Sequence, residues 1–399
     1  MDLYNGSLYW PTTLTTASNY PSLTKDIICD VLIIGGGMSG ALCSYLLSEE
    51  ALDIVLVDKR NVATGSTSAN TGLLQYSNDK MLHEFAESIG EDQAVRFYRL
   101  CFEAMENLRS VADSLTKDVQ FKARKSLYYA SDEKDVKKIK KEYDMLKKYD
   151  FPVEFLEEKE IETIYGFKKP AAILTNGDAE VNPQKFVTEL IKEASKRNVK
   201  VYEHTEVKEA GSDKGYWKFE SEKGSIHAKK VIYATGYEEI SFAKKEGGEL
   251  NRTYAIATSP LSSYPNWKDQ CLIWETKRPY FYMRTTFDGR IVAGGLDEDR
   301  VEAPSDPEVL RKYGQNLLSR IKEHFPYEKL ETEYVYGATF GESADGMPFI
   351  GEHPDKKNRY YCLGYGGNGT VYSMFGATIL KELIINGYHP DADLVRIER

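Results

Sequence analysis

Three glycines near the start of the chain have the spacing of a phosphate-binding turn. Gly35, Gly37 and Gly40 stand in VLIIGGGMSG, between a β-branched run and a helical pattern. Glycines at this spacing let a pyrophosphate approach the backbone and the helix N-terminus, because no side chain blocks the approach. Asp58 ends the next buried run, where a carboxylate accepts hydrogen bonds from both ribose hydroxyls of an adenosine and disfavours the 2′-phosphate of NADP. The pattern predicts dinucleotide binding, and a tight structural turn is the alternative.

A second glycine-rich segment precedes the last helical pattern. Gly364, Gly366, Gly367 and Gly369 stand in GYGGNGT, and apolar residues follow at helical spacing. NAD sites seldom need such a loop. The positive end of a packed helix suits the negative charge that develops on the N1–C2=O edge of a reduced flavin. This favours a flavin dinucleotide, and a glycine-rich crossover required only for close packing is the alternative.

The elements that carry these motifs follow from hydrophobic periodicity. A βαβ unit is predicted from the strand Asp30–Ile34, the helix Met38–Leu47 and the strand Asp53–Val57. Other predicted helices span about Asp92–Ser114, Glu133–Tyr149 and Thr370–Ile385, and one begins at Asn182, with Pro183 in its first position. Other predicted strands are Ser126–Ala130, Lys230–Ala234, Tyr360–Leu363 and a hairpin, FYMRTTF and RIVAGG, joined at Asp288 and Gly289.

Composition narrows the class of protein. The chain has 399 residues, enough for two domains, and its net charge of −10 disfavours a broad attraction to nucleic acid or anionic lipid. Five scattered cysteines and the lack of a secretory signal or long apolar run indicate a cytoplasmic protein without a membrane span. The six histidines have no metal-ligand spacing, so no metal is expected, and no P-loop or nucleophile elbow is present.

Seven segments together resemble the D-amino-acid oxidase-like (DAO) family of FAD-dependent oxidoreductases, which includes glycine oxidase, sarcosine oxidase and γ-glutamylputrescine oxidase. They keep the family's order and cover most of the chain. The segments are VLIIGGGMSG, VDKRNVATGSTSANTGLL, GDAEVNPQKFVTELIKEA, KKVIYATGY, YFYMRTTFDGRIVAGGLDED, YGATFGESADGMPFIG and YYCLGYGGNGT.

The resemblance implies an α/β fold with a Rossmann-like domain of the FAD/NAD(P)-binding kind and an inserted α+β substrate domain with an antiparallel sheet. The discontinuous FAD-binding domain is expected over residues 1–80, 171–245 and 337–399. The substrate or cap domain is expected over 81–170 and 246–336.

The resemblance also implies non-covalent FAD, since the segment where some relatives tether the flavin holds no cysteine. The family's contacts near the pyrophosphate and ribose fall on Gly35, Gly37, Met38, Ser39, Gly40, Asp58 and Lys59. Those along the diphosphate, flavin and adenine fall on Gly65, Ser66, Thr67, Asn70, Thr71, Gly72, Val207, Thr235 and Gly236. The last loop supplies Gly366, Gly367, Asn368, Gly369 and Thr370 around the pyrimidine end of the ring.

The substrate pocket is expected on the hairpin strand, where alternation places Tyr280, Tyr282 and Arg284 on one face. Tyr280 matches a substrate-pocket tyrosine of the family. Arg284 is a candidate anchor for an acidic group of the substrate, with a surface ion pair as the alternative. Core packing is the alternative for Tyr282 and Tyr336.

One position departs from the family pattern. Amino-acid oxidases of the family carry an arginine for the substrate α-carboxylate at the position of Phe340. Either Arg284 replaces that arginine, or the substrate is an amine without an α-carboxylate. Phe340 would suit an apolar or aromatic part of the substrate.

The function expected from the resemblance is oxidation of the C–N bond of an amine or amino-acid-type substrate. A hydride passes to flavin N5, the imine is hydrolysed, and O2 (giving H2O2) or another acceptor reoxidises the flavin. Two alternatives remain: a dehydrogenase that passes electrons to a quinone or protein partner, and a catalytically silent flavin-binding subunit. The oligomeric state is left open.

Overall fold

The computed structural model describes residues 3–15, 19–238 and 247–399. They form two β-sheets with helices packed against them. Within these ranges, no helix has both the length and the apolar character needed to cross a bilayer.

The strands and helices are numbered here in chain order. The strands are β1 Tyr4–Gly6, β2 Ile27–Ile34, β3 Ile54–Val57, β4 Leu73–Leu74, β5 Lys122–Tyr129, β6 Val153–Glu157, β7 Ala171–Glu180, β8 Lys200–Tyr202, β9 Lys208–Asp213, β10 Tyr216–Glu220, β11 Ser225–Tyr233, β12 Gly248–Thr258, β13 Leu272–Glu275, β14 Phe281–Thr285, β15 Ile291–Glu298, β16 Thr332–Ser343, β17 Phe349–His353 and β18 Lys356–Leu363. The helices are α1 Met38–Leu47, α2 Ser66–Ala69, α3 Leu82–Ile89, α4 Glu91–Ser114, α5 Val136–Lys148, α6 Glu158–Tyr165, α7 Pro183–Lys196, α8 Pro307–His324 and α9 Gly369–Asn386.

The first sheet is mainly parallel and has the strand order β17-β18-β11-β2-β3-β8, with the β9–β10 hairpin attached to β11. Strands β8, β3, β2, β11 and β18 run parallel, whereas β17 is antiparallel to β18. Helices α1, α7 and α9 pack together against this sheet. All four residues of β3 are buried, as expected for a strand covered on both faces.

The second sheet has ten strands, with the order β1-β16-β12-β15-β14-β13-β5-β7-β4 and with β6 paired to β7. Every pairing is antiparallel except that between β13 and β5. Helix α8 packs against the face that holds Leu127, Ile256, Met283 and their apolar neighbours. The opposite face is therefore left to line the cavity described below.

The predicted α/β class is confirmed, and the predicted elements are found with small shifts in their ends. Asn182 caps α7 by accepting a hydrogen bond from the Lys185 amide at 3.1 Å, and α9 ends at Gly387 with φ 74°. The predicted strand Ser126–Ala130 is the second half of β5. All five cysteines are buried as free thiols.

The domain boundaries stay a prediction, but sheet membership differs from them at several places. β1, β4, β7 and the end of β16 were expected in the FAD-binding domain, yet they belong to the ten-stranded sheet. Each of these strands completes the edge or centre of that sheet through hydrogen bonds to distant segments, which local sequence does not indicate. The boundary between residues 245 and 246 lies outside the described residues.

Candidate active site

The carboxyl ends of the parallel strands open into a cleft of about 500 Å³, here called the nucleotide cavity. Its walls come from the glycine turn, from Val57–Arg60, from the Thr64–Thr67 segment, from Val207 just before β9 and from Tyr233 at the end of β11. Predicted cofactor residues on these walls are Gly35, Gly37, Met38, Ser39, Asp58, Lys59, Gly65, Ser66, Thr67, Asn70, Val207, Thr235, Gly236, Gly369 and Thr370. The structure thus brings together residues separated by more than 300 positions.

The first glycine turn has the packing that dinucleotide turns require. Gly35 has φ 109°, which favours glycine. Gly40 was predicted as a cofactor contact, but it does not line the cavity: a Cβ there would collide with the Gly35 carbonyl oxygen. Gly40 instead permits close contact between α1 and the turn.

Two helix N-termini converge on this cavity. Met38 begins α1 and Gly369 begins α9, and the hydroxyls of Ser39, in the first turn of α1, and Ser373, one turn into α9, lie 2.8 Å apart. The unpaired amides at both helix ends provide positive potential where a diphosphate would lie.

Asp58 is fixed at the end of β3 by two backbone donors. Its carboxylate accepts hydrogen bonds from the Gly36 amide at 2.7 Å and from the Arg60 amide at 2.8 Å. Burial raises the pKa of Asp58, although both amide bonds oppose that shift. Each carboxylate oxygen retains a further lone pair, so the predicted bonds to ribose hydroxyls are sterically and chemically open.

The polar atoms of the nucleotide cavity fit FAD. Ser66 Oγ and Thr235 Oγ1 are buried without a hydrogen-bond partner, although both residues line the cavity. Such atoms are costly unless a ligand satisfies them. At the rim, Glu238 pairs with Lys59 at 2.5 Å and with Arg60 at 2.8 Å.

A smaller cavity adjoins the first one beneath the ten-stranded sheet, and we call it the aromatic cavity. Its volume is about 160 Å³. Predicted cofactor residues on its walls are Ser66, Asn70, Thr71, Gly366, Gly367, Asn368, Gly369 and Thr370. Asn368 is held by its side-chain amide, which donates to the Ser77 carbonyl at 2.6 Å and to Asn78 Oδ1 at 2.8 Å.

Six aromatic side chains line this cavity: Tyr237, Trp274, Tyr280, Tyr282, Tyr336 and Phe340. The sheet supplies most of them, because alternate residues of β14 and β16 face the same side. Sequence reasoning placed Tyr280, Tyr282 and Phe340 here, whereas it missed Trp274 and Tyr237. Trp274 Nε1 is buried without a partner, and its ring stacks on Tyr128 with 3.9 Å between centroids.

Among the residues that the structure describes, the aromatic cavity has one formally charged lining residue, Asp79. Asp79 is the last of four alternating residues, Leu73, Gln75, Ser77 and Asp79, that line the cavity. Its carboxylate occupies the space beside Gly367, where a Cβ would collide with it. Burial raises the pKa of Asp79, and Arg278 opposes that shift.

Two more carboxylates act on the same region. Burial raises the pKa of Asp297 to about 7, with Asp79 and Glu342 adding to that shift. Burial also raises the pKa of Glu342, again with a contribution from Asp79. The nearby cation, Arg278, is itself solvent-exposed and lies over the Tyr280 ring at 4.7 Å. Acidic groups therefore dominate the electrostatics of this cavity.

Arg284 lies on the predicted face of β14, but its guanidinium does not line the aromatic cavity. It donates to the carbonyl oxygens of Thr71 at 2.8 Å, Val181 at 2.8 Å and Thr285 at 3.1 Å. The Asn70–Gly72 turn covers it. All three guanidinium nitrogens bond to the backbone, so this arrangement does not support the predicted role of Arg284 as a substrate anchor.

Gly72 also has a structural role. It was predicted as a cofactor contact, yet it lines neither cavity. With φ 72°, a Cβ there would collide with the Val181 carbonyl and with the Arg284 guanidinium. Gly72 therefore allows the turn to lie directly on Arg284.

No cysteine lines either cavity, and the described ranges hold no group of three or more His, Cys, Asp or Glu suited to a metal ion.

Comparison with known proteins agrees with this arrangement. The family model for FAD-dependent oxidoreductases of the DAO type matches residues 30–383. Glycine oxidase from Geobacillus kaustophilus is 22% identical over 89% of this chain and 92% of its own, and γ-glutamylputrescine oxidoreductase from Escherichia coli is 22% identical over 95% and 88%. The crystal structure of the Geobacillus glycine oxidase superposes with a TM-score of 0.79 at 19% identity, covering 93% of this chain and 99% of that one.

The chain belongs to the DAO family of FAD-dependent oxidoreductases. FAD is accordingly its cofactor.

Proposed function

We propose that the protein oxidises a cationic amine that lacks an α-carboxylate, using FAD bound across the two cavities. The observation that carries this proposal is the lining of the aromatic cavity, which combines six aromatic side chains with the carboxylate of Asp79. The names of its relatives, glycine oxidase and γ-glutamylputrescine oxidoreductase, support a nitrogen-bearing substrate.

An aromatic enclosure with one carboxylate is suited to an alkylammonium group. Ring faces attract a cation through their quadrupole, and this attraction grows when water is excluded. Asp79 adds a charge-assisted hydrogen bond. The same surroundings would repel a substrate carboxylate, because the described lining offers it no cation.

The chemistry divides between the cofactor and the chain. A bound FAD supplies the hydride acceptor, N5, for the C–H bond next to the amine nitrogen, and the resulting imine is hydrolysed by water. The Asp79 carboxylate is placed to take the ammonium proton, since burial raises its pKa and hydride loss requires the neutral amine. The aromatic side chains orient the amine and keep water from the reacting carbon.

The proposal includes non-covalent FAD, a cytoplasmic location and reoxidation by O2, with H2O2 as product. Non-covalent FAD is supported because no cysteine lines either cavity. A cytoplasmic location is supported because all five cysteines are free thiols. A quinone or protein acceptor is the alternative to O2.

Anaerobic flavin bleaching with matched substrate pairs tests the proposal. Each pair consists of an amine and its carboxylated counterpart, such as putrescine with ornithine and dimethylamine with sarcosine. The flavin band at about 450 nm is followed in each case. We expect the decarboxylated member to bleach the flavin at least about tenfold faster, and faster bleaching by the amino acid would contradict the proposal.

The same experiment addresses the alternatives. After bleaching, rapid return of the band in air supports an oxidase, whereas return only with an added quinone supports a dehydrogenase. A flavin that no amine or amino acid bleaches would support a silent flavin-binding subunit.

A further inference from the structure

The Asn70–Gly72 turn, which forms a wall of the aromatic cavity, lies on three other parts of the chain. They are the N-terminal segment at Trp10, the end of β7 at Glu180, and Arg284 on β14. We propose that Arg284 and Trp10 are positioning residues that hold this turn in the geometry that FAD requires.

Arg284 bonds the turn to two other elements at once. Nε donates to the Thr71 carbonyl, Nη2 to the Val181 carbonyl beyond β7, and Nη1 to the Thr285 carbonyl on its own strand. The side chain is 98% buried. A planar guanidinium can bond in three fixed directions, which an ammonium cannot do.

Trp10 binds the same turn beside Arg284. Its Nε1 donates to the Asn70 carbonyl at 2.5 Å, and its ring lies 5.0 Å from the Arg284 guanidinium carbon. Thr13, in the same 3-10 turn, accepts from the Asn182 side chain at 2.8 Å. The N-terminal segment is therefore tied to the cofactor turn and to the start of α7.

The side chains that this turn presents face the cofactor and substrate. Asn70 Oδ1 accepts from the Gly72 amide at 2.7 Å, and its Nδ2 lies 3.4 Å from Thr370 Oγ1 in the last glycine loop. Thr71 Oγ1 lies 3.4 Å from the Tyr282 hydroxyl. A shift of the turn would displace both walls of the flavin region together.

The charges beneath the turn do not cancel. Glu180 accepts a hydrogen bond from Arg124 at 2.8 Å, and its second oxygen lies 3.8 Å from Arg284. Two buried guanidinium groups thus share one carboxylate. The excess positive charge lies close to the cofactor turn, where it would stabilise the negative charge of reduced FAD.

The experiment compares Arg284→Met, Arg284→Lys and Trp10→Phe with the wild-type holoprotein. FAD dissociation is measured from flavin fluorescence on dilution, and the flavin midpoint potential is measured by dye equilibration. For Arg284→Met we expect at least about tenfold weaker FAD binding, a more negative potential, and a lower kcat. The substrate KM at saturating FAD should stay within about twofold. One charged hydrogen bond is worth about tenfold in affinity, which sets the lower bound.

The Lys and Phe variants separate geometry from charge. Arg284→Lys keeps the charge, so its potential should stay near the wild-type value while FAD binding remains weak. Trp10→Phe keeps the ring and loses one hydrogen bond, so FAD binding should weaken by about threefold to tenfold. If Arg284→Met fails to fold, Trp10→Phe decides the matter.

Arg320→Met is the matched control, because Arg320 is a largely buried arginine that pairs with Glu275 at 2.6 Å on the face packed against α8. It should lower thermal stability without changing FAD affinity or potential. The proposal is overturned if Arg284→Met leaves FAD affinity unchanged, if it raises only the substrate KM, or if Arg284→Lys restores FAD affinity in full.

Discussion

The nucleotide cavity and the aromatic cavity are built from different chemical groups, although they share one wall. The residues that line both cavities are Ser66, Asn70, Tyr237, Gly369 and Thr370. The nucleotide cavity uses backbone amides, helix ends and the absence of side chains. The aromatic cavity uses large side chains from strands far apart in the sequence. The first can be read from local motifs, whereas the second depends on how distant strands pair.

The two cavities should therefore also differ in the substitutions that they tolerate. A backbone-built site fails when a side chain is added, because the cofactor and the tightly packed turn leave no room. A site built of side chains can change its preference while the fold and the bound FAD persist. The following predictions test that contrast, from the largest expected effect to the smallest.

Gly40→Val should abolish FAD binding. A Cβ at this position collides with the Gly35 carbonyl, so α1 must move away from the turn. We expect a colourless protein and a loss of more than about 3 kcal/mol of stability. Absorbance and thermal melting measure both effects. Leu46→Ala, in the same helix but away from the turn, is the control and should keep its flavin. A Gly40→Val protein that is yellow and stable would refute the packing role of Gly40.

Asp79→Asn should leave FAD bound but lower kcat/KM for a cationic amine by about 100-fold. Removing one partner of a desolvated charge pair costs about 2–5 kcal/mol. Steady-state kinetics measure the loss, and the flavin absorbance band at about 450 nm reports the cofactor content. Activity within twofold of the wild type would remove Asp79 from the substrate site.

Phe340→Arg should shift preference toward the carboxylated member of each substrate pair by about tenfold. The new guanidinium would enter the aromatic cavity, which Asp79 also lines, and would offer the substrate carboxylate a partner. The ratio of kcat/KM values for ornithine and putrescine measures the shift. Phe340→Met, which adds no charge, is the control, and an equal shift in both variants would argue against an electrostatic cause.

The affinity for a substrate dication should rise by about threefold as the pH rises from about 6 to 8. The increase in affinity is small because solvent and salt screen the attraction between the charges. Asp297, with a pKa raised to about 7, becomes ionised over this range and adds attraction for the cation. The alkylammonium groups stay protonated throughout, because their pKa lies near that of lysine. Dissociation constants for a non-oxidisable diammonium analogue measure the effect, and Asp297→Asn should reduce it.

The same titration has the opposite effect on stability. Folding raises the pKa of Asp297 above its unfolded value, so the folded state binds more protons between the two values. Its stabilising contribution is full below the unfolded pKa, about 3.9, and is lost as the pH rises through about 7. Chemical denaturation of Asp297→Asn should lack this component.

How far sequence could predict the molecule follows from the same contrast. The glycine turn, Asp58 and the Asn182 cap depend on neighbours within a few residues or on one parallel strand. The predicted cap is confirmed, and the turn and Asp58 lie on the wall of the nucleotide cavity. Gly40 and Gly72 were assigned to the cofactor although they serve packing. A motif does not distinguish a glycine that faces a ligand from one that faces the backbone.

The aromatic cavity was only partly predicted, for physical reasons. Alternation identified the face of β14 that holds Tyr280 and Arg284, but not the turn that covers Arg284. Trp274 reaches the cavity through the pairing of distant strands, which has no local signal. Asp79 did have one, since Leu73, Gln75, Ser77 and Asp79 stand at alternate positions in the segment beyond the turn.

The meeting of α1 and α9 at Ser39 and Ser373 has a thermodynamic consequence. Without a diphosphate, the positive ends of two helices lie close together and repel each other, which destabilises the packing of the first segment of the chain against the last. FAD binding and folding are then linked equilibria. The melting temperature becomes a function of free FAD, and starvation for flavin becomes a route to turnover of the protein itself.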